Sequence, residues 1–168
     1  EYQLIDERIA AHKPKSLTHT EAAAVPLTSI TAWEMLFDRL NVKSPTAEGS
    51  NVILVIGGAG GVGSITIQLL RALTDMTIIA TASRPETQAW VKELGAHHVI
   101  DHREALAPQV GALGIGAPGY VFSTTMTEHH YADIVELIAP QGRLGLIDDP
   151  VGGLDIMPLK LKALSLHW

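Results

Sequence analysis

The spacing of hydrophobic positions changes abruptly near residue 57. Val52 to Ile56 is an unbroken apolar run rich in β-branched residues, the pattern of a parallel strand buried on both faces. Gly57, Gly58, Gly60, Gly61 and Gly63 follow at once. Ile65, Ile67, Leu69, Leu70 and Leu73 then continue without Gly or Pro and predict a packed helix. The alternation repeats downstream. Thr77 to Thr81 predicts a second strand, and Pro85 to Leu94 a helix closed by Gly95. His98 to Ile100 predicts a third strand, Glu104 to Val110 a broken helix and Gly111 to Gly119 a loop. Tyr120 to Ser123, Arg143 to Ile147 and Leu161 to Trp168 predict three further strands, with a helix at Glu128 to Ile138. Such alternation implies an α/β fold: a doubly wound parallel sheet of about six strands with helices on both faces.

Residues 1 to 50 read as leading segments that cover the sheet. Tyr2 to Ile5 predicts a short strand, and His12 to Ser16 a turn. Thr18 with Glu21 three residues on is a capping-box pattern, opening an alanine-rich helix that ends near Pro26. Thr28 to Leu40 predicts a second helix with Ile30, Trp33, Leu36, Phe37 and Leu40 on its packed face. Thr46 to Ser50 reads as a polar turn.

Composition narrows the class. At 168 residues the chain suits one domain with a sizeable core. The hydrophobic fraction of 46% and charged fraction of 18% fit a soluble globular protein, and no apolar run is long enough to span a membrane. A net charge of −6 without any basic stripe argues against a nucleic-acid binder. The absence of cysteine removes disulfides and thiolate metal ligands and fits a reducing, cytoplasmic setting. The N-terminus has no signal-peptide pattern. The chain begins at Glu1 and stops at Trp168 inside a predicted strand, so an excised piece of a larger protein is expected.

The glycine cluster carries the chemistry. Gly58, Gly60, Gly61, Val62 and Gly63 fit G-x-G-x-x-G between a strand and a helix, the Rossmann-type arrangement. One glycine there permits the tight turn, a second admits a pyrophosphate, and the third lets helix and strand pack closely. A mononucleotide phosphate loop has the same glycine spacing but needs a lysine where Ser64 stands. Choice of dinucleotide is read at the end of the second strand. An acid there bonds the adenosine 2′-hydroxyl of NAD. Here the sequence is Ala80-Thr81-Ala82-Ser83-Arg84, and Ser83 and Arg84 offer a hydroxyl and a guanidinium suited to the 2′-phosphate of NADP.

Glu21-Ala-Ala-Ala-Val-Pro26, Thr31-Ala-Trp33, the glycine motif, Leu94-Gly95-Ala96 and Gly142-Arg143 occur in one order along nearly the whole chain. In them the chain resembles the cofactor domain of the medium-chain dehydrogenase/reductase superfamily. The resemblance is strongest to its quinone-oxidoreductase branch and zinc-type alcohol dehydrogenase-like subgroup. It implies that Thr31 and Val62 lie against the nicotinamide, Gly60 to Val62 face the pyrophosphate, and Ser83 and Arg84 face the adenosine phosphate. It further implies that Ser123, Thr124, Thr125, Ile147 and Asp148 border ribose and nicotinamide. The family's N-terminal catalytic domain precedes the matching region, so no catalytic residue is assigned here, and zinc is not expected on a chain without cysteine. The resemblance also implies a homodimer continued across the C-terminal edge strand, with Leu161 to Trp168 as that edge.

Other constellations carry less. His97-His98 and His129-His130 are adjacent pairs whose side chains diverge on a strand or a helix, so they are not expected to chelate one metal. No tyrosine has a lysine four residues later, and no G-x-S-x-G is present. Asp148-Asp149 reads as a turn, and Trp33 and Trp90 as core or interface residues. Two functions remain open. One is an oxidoreductase moving hydride between NADPH and a small carbonyl, enone or quinone, its zinc-dependent form having metal ligands elsewhere. The other is a non-catalytic dinucleotide-binding or sensing module. The fragment alone is expected to bind cofactor without turnover.

Overall fold

The structure, a computed structural model, describes residues 2–44, 46 and 50–168. Six parallel strands form one sheet: β1 (Ser50–Ile56), β2 (Thr77–Thr81), β3 (His98–Ile100), β4 (Pro118–Ser123), β5 (Arg143–Leu146) and β6 (Ser165–His167), in the order β3-β2-β1-β4-β5-β6. The chain winds outward from β1 to β3, crosses back to β4 on the other side of β1, and winds outward again. This is a doubly wound Rossmann-type sheet, and its order reverses between β1 and β4.

Apolar residues on both sides of β1 explain its central place. Ile53 and Val55 pack with Ile78, Ala80, Tyr120 and Phe122 against Ile67 and Leu70 of α3 (Gly61–Leu73) and against Leu36 and Leu40. Val52, Leu54 and Ile56 pack the other way, against Leu106 and Val110 of α5 (Leu106–Ala112) and Ile134 and Leu137 of α6 (Thr127–Leu137). Each such side chain contributes roughly 1.5–3 kcal/mol on burial.

The leading helices depart from the periodic reading. Thr18 caps α1 (His19–Ala24) as expected: its hydroxyl accepts from the Glu21 N–H at 3.2 Å, and Glu21 accepts from the Thr18 N–H at 2.8 Å. The next helix, α2 (Pro26–Trp33), starts at a proline rather than at Thr28 and passes into a π-helical turn at Glu34–Arg39, closed by a Leu40 N–H to Met35 carbonyl bond of 2.8 Å. That turn adds a residue to the repeat and rotates the packed face. Ala32, Met35, Leu36 and Leu40 are buried, whereas Ile30 is 64% and Trp33 50% exposed. Arg143 ties this segment to the sheet by donating to the carbonyls of Leu40 (2.7 Å), Asn41 (3.0 Å) and Ser44 (3.2 Å). The Tyr120 hydroxyl also donates to Ser44.

Four further boundaries differ. Tyr2 to Ile5 is exposed and unpaired with any strand among the described residues, so the expected strand is absent; a single 3-10 turn follows at Glu7–Ile9. In place of the broken helix expected at Glu104 to Val110 stands an unbroken one, α5, which runs to Ala112, and β4 begins at Pro118 rather than Tyr120. The last strand covers Ser165–His167 alone: α7 (Met157–Lys160) precedes it, Ala163 takes a positive φ of 50°, and Leu161 is 88% exposed. The predicted turn at Thr46 to Ser50 lies largely outside the described residues. Helix α4 (Pro85–Glu93) follows β2 as expected. No helix among the described residues is long and apolar enough to cross a membrane.

Candidate cofactor site

At the carboxyl ends of β1, β2 and β4, where the strand order reverses, lies a cleft of about 590 Å³. Its floor is the turn from β1 into α3. Gly57 has φ +78° and donates its N–H to the Thr81 hydroxyl at 3.0 Å; its carbonyl accepts from Gly60 at 3.0 Å. Helix α3 then starts with Gly60 as N-cap, and no side chain caps it. The Gly61, Val62 and Gly63 N–H groups have no acceptor one helical turn back, so this end of the helix presents donors and positive dipole character toward the cleft.

The glycines divide the work differently from the sequence expectation. Gly57, outside the motif, makes the positive-φ turn. Gly63 packs: a Cβ there would stand 2.3 Å from the Gly57 carbonyl oxygen and 2.7 Å from Gly58 Cα. Gly58 is pressed against β2, where a Cβ would lie 2.9 Å from the Ala80 Cβ. Gly60, Gly61 and Val62 line the cleft. A pyrophosphate fits this floor, because its lining there is backbone with donors and almost no side chain.

The outer wall is the loop after β2. Ser83, Arg84 and Thr87 line it, beside Ala82, whose N–H donates to Ile100 at 3.0 Å. The Arg84 Nε meets Glu86 Oε1 at 3.2 Å, but both side chains are about two-thirds exposed (69% and 68%), so the pair holds weakly. Opposite stands His102, which sequence reasoning missed. The available signal was its place just beyond β3, because every loop after a parallel strand emerges at the same edge. Its neighbours form a fork: Arg103 grips both oxygens of Asp101 and holds that carboxyl down to about pKa 2.

On the inner wall Thr124, Thr125 and Ile147 line the cleft, and the Thr124 hydroxyl donates to the Ile56 carbonyl at 2.8 Å. Ser123 and Asp148 do not join them. The hydroxyls of Ser123 and Thr127 lie 2.7 Å apart, and the Asp148 carboxylate accepts from the Thr127 N–H at 2.8 Å and from its hydroxyl. These polar groups thus fasten the start of α6 to the end of the sheet. Thr31 donates its hydroxyl to Leu27 at 2.8 Å and lines an adjoining cavity of about 210 Å³, which shares Ile147 with the main cleft. Trp90, on α4, is half exposed and donates its indole N–H to Ser64.

Of the histidine pairs, His97 accepts the Ile78 N–H at 2.9 Å and lies 2.7 Å from Arg71, while His130 is buried beside His129. Burial lowers the proton affinity of both, with Arg71 adding to the effect at His97 and His129 at His130. Among the described residues no group of three or more His, Asp or Glu side chains converges to hold a metal ion.

Sheet order, glycine turn and cleft together define a domain of the Rossmann dinucleotide-binding type. The chain belongs to the zinc-binding dehydrogenase family, whose pattern matches residues 61–166. It is 38% identical over 165 residues to a zinc-type alcohol dehydrogenase-like protein of Staphylococcus aureus, covering 98% of this chain and 49% of that protein. A solved structure of the zinc-dependent alcohol dehydrogenase type from Rhizobium etli superposes with TM-score 0.95 at 63% identity, covering 98% of this chain and 48% of the other. The quinone oxidoreductase of Thermus thermophilus, solved also in complex with NADPH, superposes with TM-score 0.72 at 26% identity, covering 93% of this chain and 48% of the other. The chain thus spans about half the length of these relatives. The zinc of the family description finds no ligand set among the described residues.

Proposed function

We propose that the chain is the NADP(H)-binding domain of an oxidoreductase that moves hydride between NADPH and a small carbonyl, enone or quinone. The observation that carries this reading is the lining of the cleft: Ser83, Arg84 and His102 face it, and no carboxylate does among the described residues. A 2′-phosphate competes well for Arg84, because its present partner Glu86 holds it only through an exposed ion pair. The N-terminal N–H groups of α3 receive the pyrophosphate between Gly60 and Val62. Ile147 and Val62, with Thr31 beyond them, border the nicotinamide and exclude water from one side of it. The nicotinamide supplies the hydride when bound; these residues bind and orient it.

Calorimetric titration with NADPH and NADH, at one low salt concentration, tests the proposal. NADPH is expected to bind about tenfold or more tighter, since hydrogen bonds to a charged group contribute roughly 1.5–3 kcal/mol. Arg84→Ala is expected to remove most of that difference while leaving NADH binding unchanged. Tighter binding of NADH by the unsubstituted protein overturns the assignment.

A further inference from the structure

The Asp101–Arg103 fork lies just beyond the cleft lining, yet it grips the loop that forms the outer wall. Arg103 Nε is 3.1 Å from each Asp101 oxygen, and Nη2 is 2.6 Å from Oδ2. The same Nη2 donates to the Ser83 carbonyl at 3.1 Å. The turn that carries the fork is itself braced. Gln109 accepts from the Asp101 N–H at 2.9 Å and donates to the Asp101 carbonyl at 2.8 Å, and the Arg103 N–H donates to Asp101 Oδ1 at 2.9 Å.

On the facing loop the carbonyls of Ala82 and Arg84 are held from within α4, the latter also by the Gln88 N–H at 2.9 Å, and that of Ser83 from outside it. Gln88 takes that of Ala82 at 3.2 Å, Thr87 takes that of Arg84 at 2.9 Å, and Arg103 takes that of Ser83. The Ser83 anchor is therefore the one that reaches across from β3, and it fixes the peptide joining Ser83 to Arg84. His102, between the two fork residues, lines the cleft. One ion pair consequently sets two walls of the pocket.

We propose that Arg103, locked by Asp101, is a positioning residue for cofactor selection: it holds the Ser83–Arg84 peptide and His102 in the arrangement that receives the adenosine 2′-phosphate. This rests on the NADP reading above. Arg103 is not itself assigned as the phosphate ligand, because it does not line the cleft and its Nε and Nη2 are committed to Asp101 and the Ser83 carbonyl.

The two roles predict opposite effects of Asp101→Ala. That change deletes a negative charge beside the phosphate site, so charge alone makes NADPH bind tighter. Loss of positioning makes it bind weaker. The unsubstituted protein, Asp101→Ala, Arg103→Met and Arg103→Lys are to be titrated with NADPH and NADH by calorimetry, with thermal midpoints recorded alongside. Asp101→Ala and Arg103→Met are each expected to lower the NADPH-to-NADH affinity ratio about tenfold, the scale of one charge-assisted hydrogen bond. NADH affinity stays unchanged, and Arg103→Lys recovers part of the ratio. An Asp101→Ala ratio that rises or stays constant overturns the proposal. So does an equal loss of both cofactors, which marks a general folding role. Preference of the unsubstituted protein for NADH instead overturns the cofactor reading itself, before any variant is considered.

Discussion

Replacing Gly63 with alanine tests the packing that shapes the cofactor floor. The new Cβ would lie 2.3 Å from the Gly57 carbonyl oxygen, 2.7 Å from Gly58 Cα and 2.8 Å from Gly58 carbonyl carbon. Real Cβ atoms essentially never approach within 3.0 Å, and all three obstacles are backbone, which no rotamer change clears. The start of α3 must therefore retreat from the β1 turn. Overpacking of this kind costs about 1–3 kcal/mol. Alanine's helix propensity returns about 1 kcal/mol, so the net loss falls at roughly 0–2 kcal/mol, or more if the turn breaks. The retreat also displaces the N–H groups offered to the pyrophosphate, so NADPH and NADH should weaken together, unlike the effect expected at Arg84. Gly111 supplies the control. It lies in α5, and a Cβ there meets nothing within 4 Å. Gly111→Ala should be neutral or stabilising by up to about 1 kcal/mol. Urea denaturation gives both values, and calorimetry gives the affinities. A Gly63→Ala protein as stable as the parent, with its cofactor affinity intact, would refute the close-packing argument.

Two other outcomes are expected. Lys162 donates to the carbonyls of Val135 (2.9 Å), Glu136 (2.6 Å) and Ile138 (2.9 Å), closing the C-terminal end of α6, so Lys162→Met should cost about 1 kcal/mol in urea denaturation; an unchanged midpoint speaks against that cap. Burial lowers the proton affinity of His97, His130 and His167, with Arg71, His129 and Arg143 as the next largest causes at each in turn. The unfolded chain then binds more protons than the folded one. Their contribution to stability is complete above the ordinary histidine value of 6.5 and is lost as pH falls through the lower folded values. Thermal midpoints should drop from pH 7.5 to pH 5.5 and drop less in His97→Gln, whereas a flat profile would contradict the burial argument.

What the sequence determined by itself is what depends on neighbours along the chain. A β-branched run, a glycine-rich turn and an apolar helix announce the β1–α3 unit, and Thr18 with Glu21 announces the first helix. Local periods and caps require no distant partner. The missing acid after Ala82 is likewise visible in one strand end. Only tertiary structure decided which loops meet. His102 and Arg103 are about twenty residues from Ser83, and the strand order that sets β3 beside β2 brings His102 to the same cleft and Arg103 to the Ser83 carbonyl. Ser123 and Asp148 were legible as polar residues after strands, but the start of α6 lies between them, and its N–H and hydroxyl claim both side chains. The π-helical turn at Glu34–Arg39 had no signature in the spacing of Ile30, Trp33, Leu36 and Leu40, of which the first two are exposed and the last two buried. The last strand shortened to Ser165–His167 for a similar reason: an apolar stretch pairs only where a neighbouring strand offers backbone groups, and β5 offers them opposite those residues alone. A side chain's character can be read from the chain, but its partner is fixed by which elements the sheet sets side by side.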